Sequence, residues 1–161
     1  MTVAPAAAAA GATVTHVDAS KGMVTWAKEN AVSSGLKDAP IRWLVDDCVK
    51  FVEREIRRGN TYDAIIMDPP SYGRGPKGEI WKIEDMIHPL IRLCAKILSE
   101  DALFFLVNSY TTGLAPAVLT YMISTELKSW NGHVDSQEIG LPVTNSGLVL
   151  PCGASGRWES R

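Results

Sequence analysis

A strand that is forced to stop fixes how this chain can fold. In Tyr62-Asp63-Ala64-Ile65-Ile66-Met67-Asp68-Pro69-Pro70-Ser71-Tyr72, Ala64 to Met67 form a continuous apolar run with two adjacent isoleucines. Such a run predicts a strand buried on both faces, as in a parallel sheet covered by helices. It ends at an acid, two prolines and an aromatic. Pro69 has no amide hydrogen, so a ladder cannot continue through it, and the strand finishes here at its carboxyl edge. Open α/β sheets bind their ligands just beyond that edge. A carboxylate, a carbonyl preceding a proline and a flat ring are delivered there together.

The flanking sequence supplies the rest of an α/β pattern. Met1 to Ala12 is alanine-rich, with Pro5 suited to a first helical turn and Gly11 to its end. Thr13 to Asp18 alternates with β-branched residues and reads as a strand closed by an acid. Ser20 then caps a helix from Lys21 to Ser33, with Met23, Ala27 and Ala31 near one face and Gly35 closing it. Ile41 to Val45 is the next strand, ended by Asp46-Asp47, and Cys48 to Arg58 an amphipathic helix. Gly73 to Glu79 reads as a glycine-rich basic loop, without the strand and lysine pattern of a triphosphate site. Ile83 to Leu98 is helical, and His88, before Pro89, reads as structural. Ala102 to Val107 is a second apolar strand with its tip at Asn108-Ser109-Tyr110, and Pro116 to Lys128 a further helix. The tail reads as a terminal antiparallel hairpin.

Bulk properties exclude several classes. The chain has 161 residues, 46% hydrophobic and 21% charged, which is one ordinary globular domain. Its net charge of −2 is not that of a dedicated nucleic-acid binder, so any RNA contact needs a local patch or another domain. Cys48, Cys94 and Cys152 are odd in number and lack metal-ligand spacing, which fits a reducing compartment and no metal site. No apolar run approaches a membrane span, and no leader pattern opens the chain. A cytoplasmic protein without a membrane partner is expected.

Asp68-Pro69-Pro70-Ser71-Tyr72 resembles the catalytic loop of class I S-adenosylmethionine (SAM) dependent methyltransferases that modify amino groups. Together with His16-Val17-Asp18-Ala19-Ser20-Lys21, Pro40 to Trp43, Asp46-Asp47 and Gly73 to Lys82, it resembles bacterial and organellar relatives of the large-subunit ribosomal RNA methyltransferases. The resemblance implies a Rossmann-like α/β sheet with helices on both faces and a C-terminal antiparallel hairpin over residues 1–161. It also implies a first strand and a glycine loop that this sequence does not contain. We therefore expect a partial, N-terminally truncated domain with weakened hold on SAM.

Residue roles follow from the same resemblance. An exocyclic ring amine is a poor nucleophile because its lone pair is delocalised. Asp68 and the Pro69 carbonyl would accept its hydrogens, Pro70 would belong to the same catalytic loop, and Tyr72 would stack on the ring. Asp18 would hold the ribose hydroxyls of SAM beside Ser20, and Asp47 with Cys48 its adenine, with Asp68 also bordering the cofactor. Asp18 and Asp47 equally suit helix caps. Arg74 and Lys77 could meet an RNA backbone, or lie in a plain surface loop. No thiol is aimed at the substrate, Cys152 being the freest of the three, so a ring-amine or ring-nitrogen target is expected over carbon-5. The expected function is methyl transfer from SAM to a nucleobase of RNA, ribosomal in the first instance. The alternatives are a protein or small-molecule amine methyltransferase, or a non-catalytic fragment.

Overall fold

The computed structural model describes residues 3–75, 78–111 and 113–161. They form two compact units, Met1–Arg54 and Glu55–Arg161.

In the first unit the elements are α1 (Val3–Ala9), β1 (Val14–Asp18), α2 (Lys21–Ser33), β2 (Ile41–Val45) and the start of α3 (Cys48–Arg58). β1 and β2 pair in parallel, from Val14 opposite Ile41 to Asp18 opposite Val45, with α2 as the crossover. Ser20 caps α2 by accepting the Met23 amide at 3.3 Å, and Gly35 ends it with φ 74°. The buried face of α2 is Val24, Ala27 and Ala31, against Ala4 and Ala8 of α1 and the strands. Met23, expected on that face, is instead 47% exposed, because the 3.6-residue period places Val24, one turn before Ala27 and two before Ala31, nearer the centre of the face.

The second unit is built on a four-stranded sheet, β3 (Ala64–Met67), β6 (Phe104–Ser109), β8 (Val149–Ser160) and β7 (Gly132–Pro142), in that order. β3 and β6 are parallel, while β8 runs antiparallel to both β6 and β7. Phe105 and Val107 are fully buried, and Ile91 of α4 (Ile83–Ala95) with Leu119 and Ile123 of α5 (Pro116–Glu126) complete the core. α5 lies on β7 and β8, and Gly156 is what lets it approach: a Cβ there would sit 2.8 Å from both Leu119 and Ile123. His88 and Arg92 of α4 both bond the Glu126 carboxylate, at 2.7 and 3.0 Å, which gives His88 the structural role expected of it.

Several expectations are corrected. β3 is half-buried except at Met67, because it ends its sheet and has β6 as its one strand neighbour. The stretch after Tyr72 is a hairpin rather than an open loop: β4 (Tyr72–Arg74) pairs antiparallel with β5 (Ile80–Lys82). α4 stops at Ala95, and Ile97 and Leu98 are buried in the turn that follows. The second apolar strand runs two residues further than expected, since Asn108 and Ser109 pair with Ser155 and Ala154 of β8. Its tip is therefore Tyr110.

Candidate functional site

At the carboxyl end of β3 the chain turns through Asp68, Pro69, Pro70 and Ser71 into β4. Three hydrogen bonds hold this loop within the second unit. Trp81 of β5 donates its indole N–H to the Pro70 carbonyl at 2.7 Å. The Ile83 amide, at the start of α4, reaches the Ser71 carbonyl at 3.1 Å. The Ser71 and Thr111 hydroxyls meet at 2.7 Å, joining the loop to the segment after β6. Trp81 thus occupies the Pro70 carbonyl, while no described residue donates to the preceding carbonyl of Pro69. No group among the described residues donates to the Asp68 carboxylate. That carboxyl lies at the exposed rim, yet partial burial pushes its pKa above the ordinary value.

Tyr72 is 51% exposed, and its hydroxyl accepts the Arg74 Nε–H at 2.9 Å. Arg74, expected to meet a phosphate, thus first fixes the aromatic ring. Lys77 lies outside the described residues. Around the same edge are Tyr110 at the tip of β6 and Cys152 on β8. Burial, then the charge of Asp68, then that of Cys152 raise the Tyr110 pKa, so the three groups stand within electrostatic reach. The Cys152 thiol donates to the Ile139 carbonyl at 3.3 Å, and Cys94 is buried in α4.

The first unit carries its own acidic edge, at the carboxyl ends of β1 and β2. Asp18 accepts the Ser20 amide through Oδ1 at 2.7 Å, leaving Oδ2 without a protein partner among the described residues. Asp47 caps α3 by accepting the Lys50 amide at 3.0 Å, again through one oxygen. So the capping role expected as an alternative is real for Asp47, and each acid keeps a second oxygen for a ligand. Asp46 is fully engaged, by the Asp47 amide at 2.9 Å and by Arg54. The Cys48 thiol lies 3.7 Å from the Val17 carbonyl. Burial first, then Asp18, Asp47 and Asp46, push its pKa up to about 11, so it stays a neutral thiol. With Asp46 paired to Arg54, the Asp18 and Asp47 carboxylates leave an edge that disfavours phosphate and accepts hydroxyl and amino donors. That donor set fits a nucleoside that bears no phosphate, which is what SAM is.

Sequence reasoning missed Trp81, Thr111 and Tyr110. Trp81 stood within the most specific stretch, but its role depends on the β4–β5 pairing, which glycines and a proline conceal.

No family model matches the chain. It is 36% identical over 86 residues to the ribosomal RNA large subunit methyltransferase K/L of Pseudoalteromonas atlantica, covering 53% of this chain and 12% of that protein. It is 28% identical over 105 residues to the ribosomal RNA large subunit methyltransferase K of Neisseria meningitidis serogroup B, covering 65% and 30%. Among solved structures, the SAM-dependent methyltransferase from Agrobacterium tumefaciens superposes with a TM-score of 0.89 at 41% identity, over 96% of this chain and 51% of that one. The chain thus spans about half of the Agrobacterium protein and less than a third of either ribosomal one. In its Rossmann-like α/β fold and in this likeness of sequence, the chain resembles the class I SAM-dependent methyltransferases.

Proposed function

We propose that residues 1–161, read as one partial methyltransferase domain, transfer a methyl group from SAM to a nucleobase of RNA, with large-subunit ribosomal RNA as substrate, in the cytoplasm. The observation that carries this reading is the Asp68–Tyr72 loop. A carboxylate without a protein partner and an exposed aromatic ring are fixed together at a strand's carboxyl edge by Trp81, Ile83 and Thr111. The likeness to the two ribosomal RNA enzymes supports the substrate class.

Asp18 and Ser20 would hold the ribose of SAM, and Asp47 with the Cys48 backbone its adenine. Bound SAM supplies an electrophilic methyl group on a sulfonium. Asp68 and the Pro69 carbonyl accept the two hydrogens of the target amine and draw its nitrogen toward a pyramidal geometry, so that the lone pair is localised. Tyr72 stacks on the ring, its phenol held by Arg74. Asp68, open at the rim, is the group through which the amine's proton can leave to water. The thiols fit this amine chemistry, not attack on carbon-6: Cys48 is neutral, Cys94 buried and Cys152 bonded to Ile139.

Incubating the chain with tritiated SAM and either total RNA or total protein tests the reading. Label is expected in RNA, on a ring amine or ring nitrogen by mass spectrometry, and it is expected to vanish with Asp68→Ala. Label in protein overturns the substrate class. A methyl on carbon-5 that Cys152→Ala abolishes overturns the amine mechanism.

A further inference from the structure

We propose that Tyr110 is a substrate-positioning residue, presenting a second aromatic face to the target base beside Asp68. The proposal rests on the reading above that the substrate is an RNA base, and adds a residue to it. From the sequence, Tyr110 is only the end of a strand tip. The structure gives it three properties that a positioning residue needs.

The first is placement. Met67 pairs with Val107, so the Asp68-Pro69-Pro70 turn leaves β3 beside Asn108 and Ser109, which β8 still holds in the sheet, and Tyr110 follows them at the same edge. The 2.7 Å contact between the Ser71 and Thr111 hydroxyls ties the two segments together at this edge, and the Asp68 charge helps to raise the Tyr110 pKa.

The second is rigidity of the backbone that carries it. Ser109, just before it, is fully buried and paired with Ala154, and its hydroxyl accepts the Thr111 amide at 3.2 Å. Thr111, just after it, bonds Ser71 of the Asp68 loop. From below, β8 passes so close that a Cβ on Gly153 would stand 3.0 Å from the Tyr110 Cα and collide with the Ser109 carbonyl. Tyr110 is thus held against both the loop and β8.

The third is availability. The side chain is 54% exposed, and its hydroxyl has no hydrogen-bond partner among the described residues. A tyrosine so firmly seated and so little used by its own protein offers an apolar plane at low entropic cost. Base–aromatic stacking tolerates any base, which suits a site where Asp68 and Pro69 supply the polar recognition.

The test titrates the chain into a single-stranded RNA oligonucleotide containing 2-aminopurine, whose fluorescence is quenched by stacking. Wild type and Tyr110→Phe are expected to quench alike. Tyr110→Ala is expected to lose most of the quench and to bind roughly ten-fold more weakly, the lower part of the range for one lost stack. Its melting temperature and its affinity for S-adenosylhomocysteine should match the wild type, because the side chain packs little and lies in the second unit. Tyr121→Ala, an exposed aromatic on α5, controls for nonspecific contact and should change neither signal. If Tyr110→Ala quenches like the wild type while Tyr72→Ala does not, the role of Tyr110 falls and the RNA reading stands. If Tyr110→Phe fails as badly as Tyr110→Ala, the hydroxyl acts and the stacking role falls. If the wild type itself leaves the RNA unbound or unquenched, the RNA reading falls and this proposal with it.

Discussion

A single carboxylate sets the chemistry of the candidate site, and its environment gives it a measurable signature. Asp68 works as an acceptor only when ionised, and partial burial raises its pKa above the solvated value of about 3.9. Turnover should therefore fall as pH drops through a value higher than an ordinary aspartate would give. A pH–rate profile of the chain checks this, and Asp68→Asn should lose that limb. Asp68→Ala should lower turnover by roughly two to three orders of magnitude with little change in SAM affinity, as measured by tritium transfer and calorimetry. Unchanged turnover would remove the carboxylate from the mechanism. Glu55 is the stability counterpart. It is 1% exposed and accepts Asn60 at 2.8 Å, Tyr62 at 2.9 Å and Arg58 at 3.0 Å. Burial alone would raise its pKa, but these hydrogen bonds and the Arg58 charge outweigh burial and lower it. A lowered folded-state value means the contribution is present above the unfolded value, about 4.3, and lost as pH falls through the folded one. Glu55→Ala should cost about 2–4 kcal/mol in denaturant melts, and the acid sensitivity should shrink with it.

Among the elements, the β4–β5 hairpin and α5 carry the sharpest expectations. Trp81→Phe keeps an aromatic ring but removes the indole donor to Pro70. Stability should drop by about 1 kcal/mol, while turnover falls near ten-fold as the loop loosens. Equal turnover would show that the hairpin merely covers the loop. Gly156→Ala places a methyl 2.8 Å from Leu119 and Ile123 and should cost about 1–3 kcal/mol as α5 is pushed from the sheet. These elements also mark where the sequence was readable. Lys21–Ser33, Ile41–Val45, Cys48–Arg58 and Ala64–Met67 could all be placed from local signals, because a cap, an acid or a proline marks their ends. The Asp68 loop was legible for the same reason. What escaped depends on distant partners. Asn108 and Ser109 look like a strand's end until β8 pairs with them, and the polar run in β8 hides a twelve-residue strand. Glycines 73, 75 and 78 read as a loop although β4 and β5 pair across them. Glu55 looks like one more charge on a solvated helix face, and only its three donors show why it is buried.

At the scale of the molecule, no helix among the described residues is long and apolar enough to cross a membrane, and Cys48, Cys94 and Cys152 form no disulfide. The two units divide the proposed labour, an acidic nucleoside edge in one and an amine-directing loop in the other. Trp81 donates to Pro70 at the carboxyl end of the second unit's sheet, and Trp130 donates to the Ser99 carbonyl at 2.9 Å, at the opposite end of β6. The chain has five tryptophans, so its nitrogen–proton NMR spectrum holds five indole signals, and these two are hydrogen-bonded sentinels at the two ends of one sheet. A ring that settles on Tyr72 and Tyr110 should displace the Trp81 resonance and leave that of Trp130 in place. Movement of Trp130 alone would put the ligand at the wrong end. The bond that holds the loop thereby doubles as a position-sensitive antenna, one that reports occupancy with neither turnover nor a reporter group on the ligand.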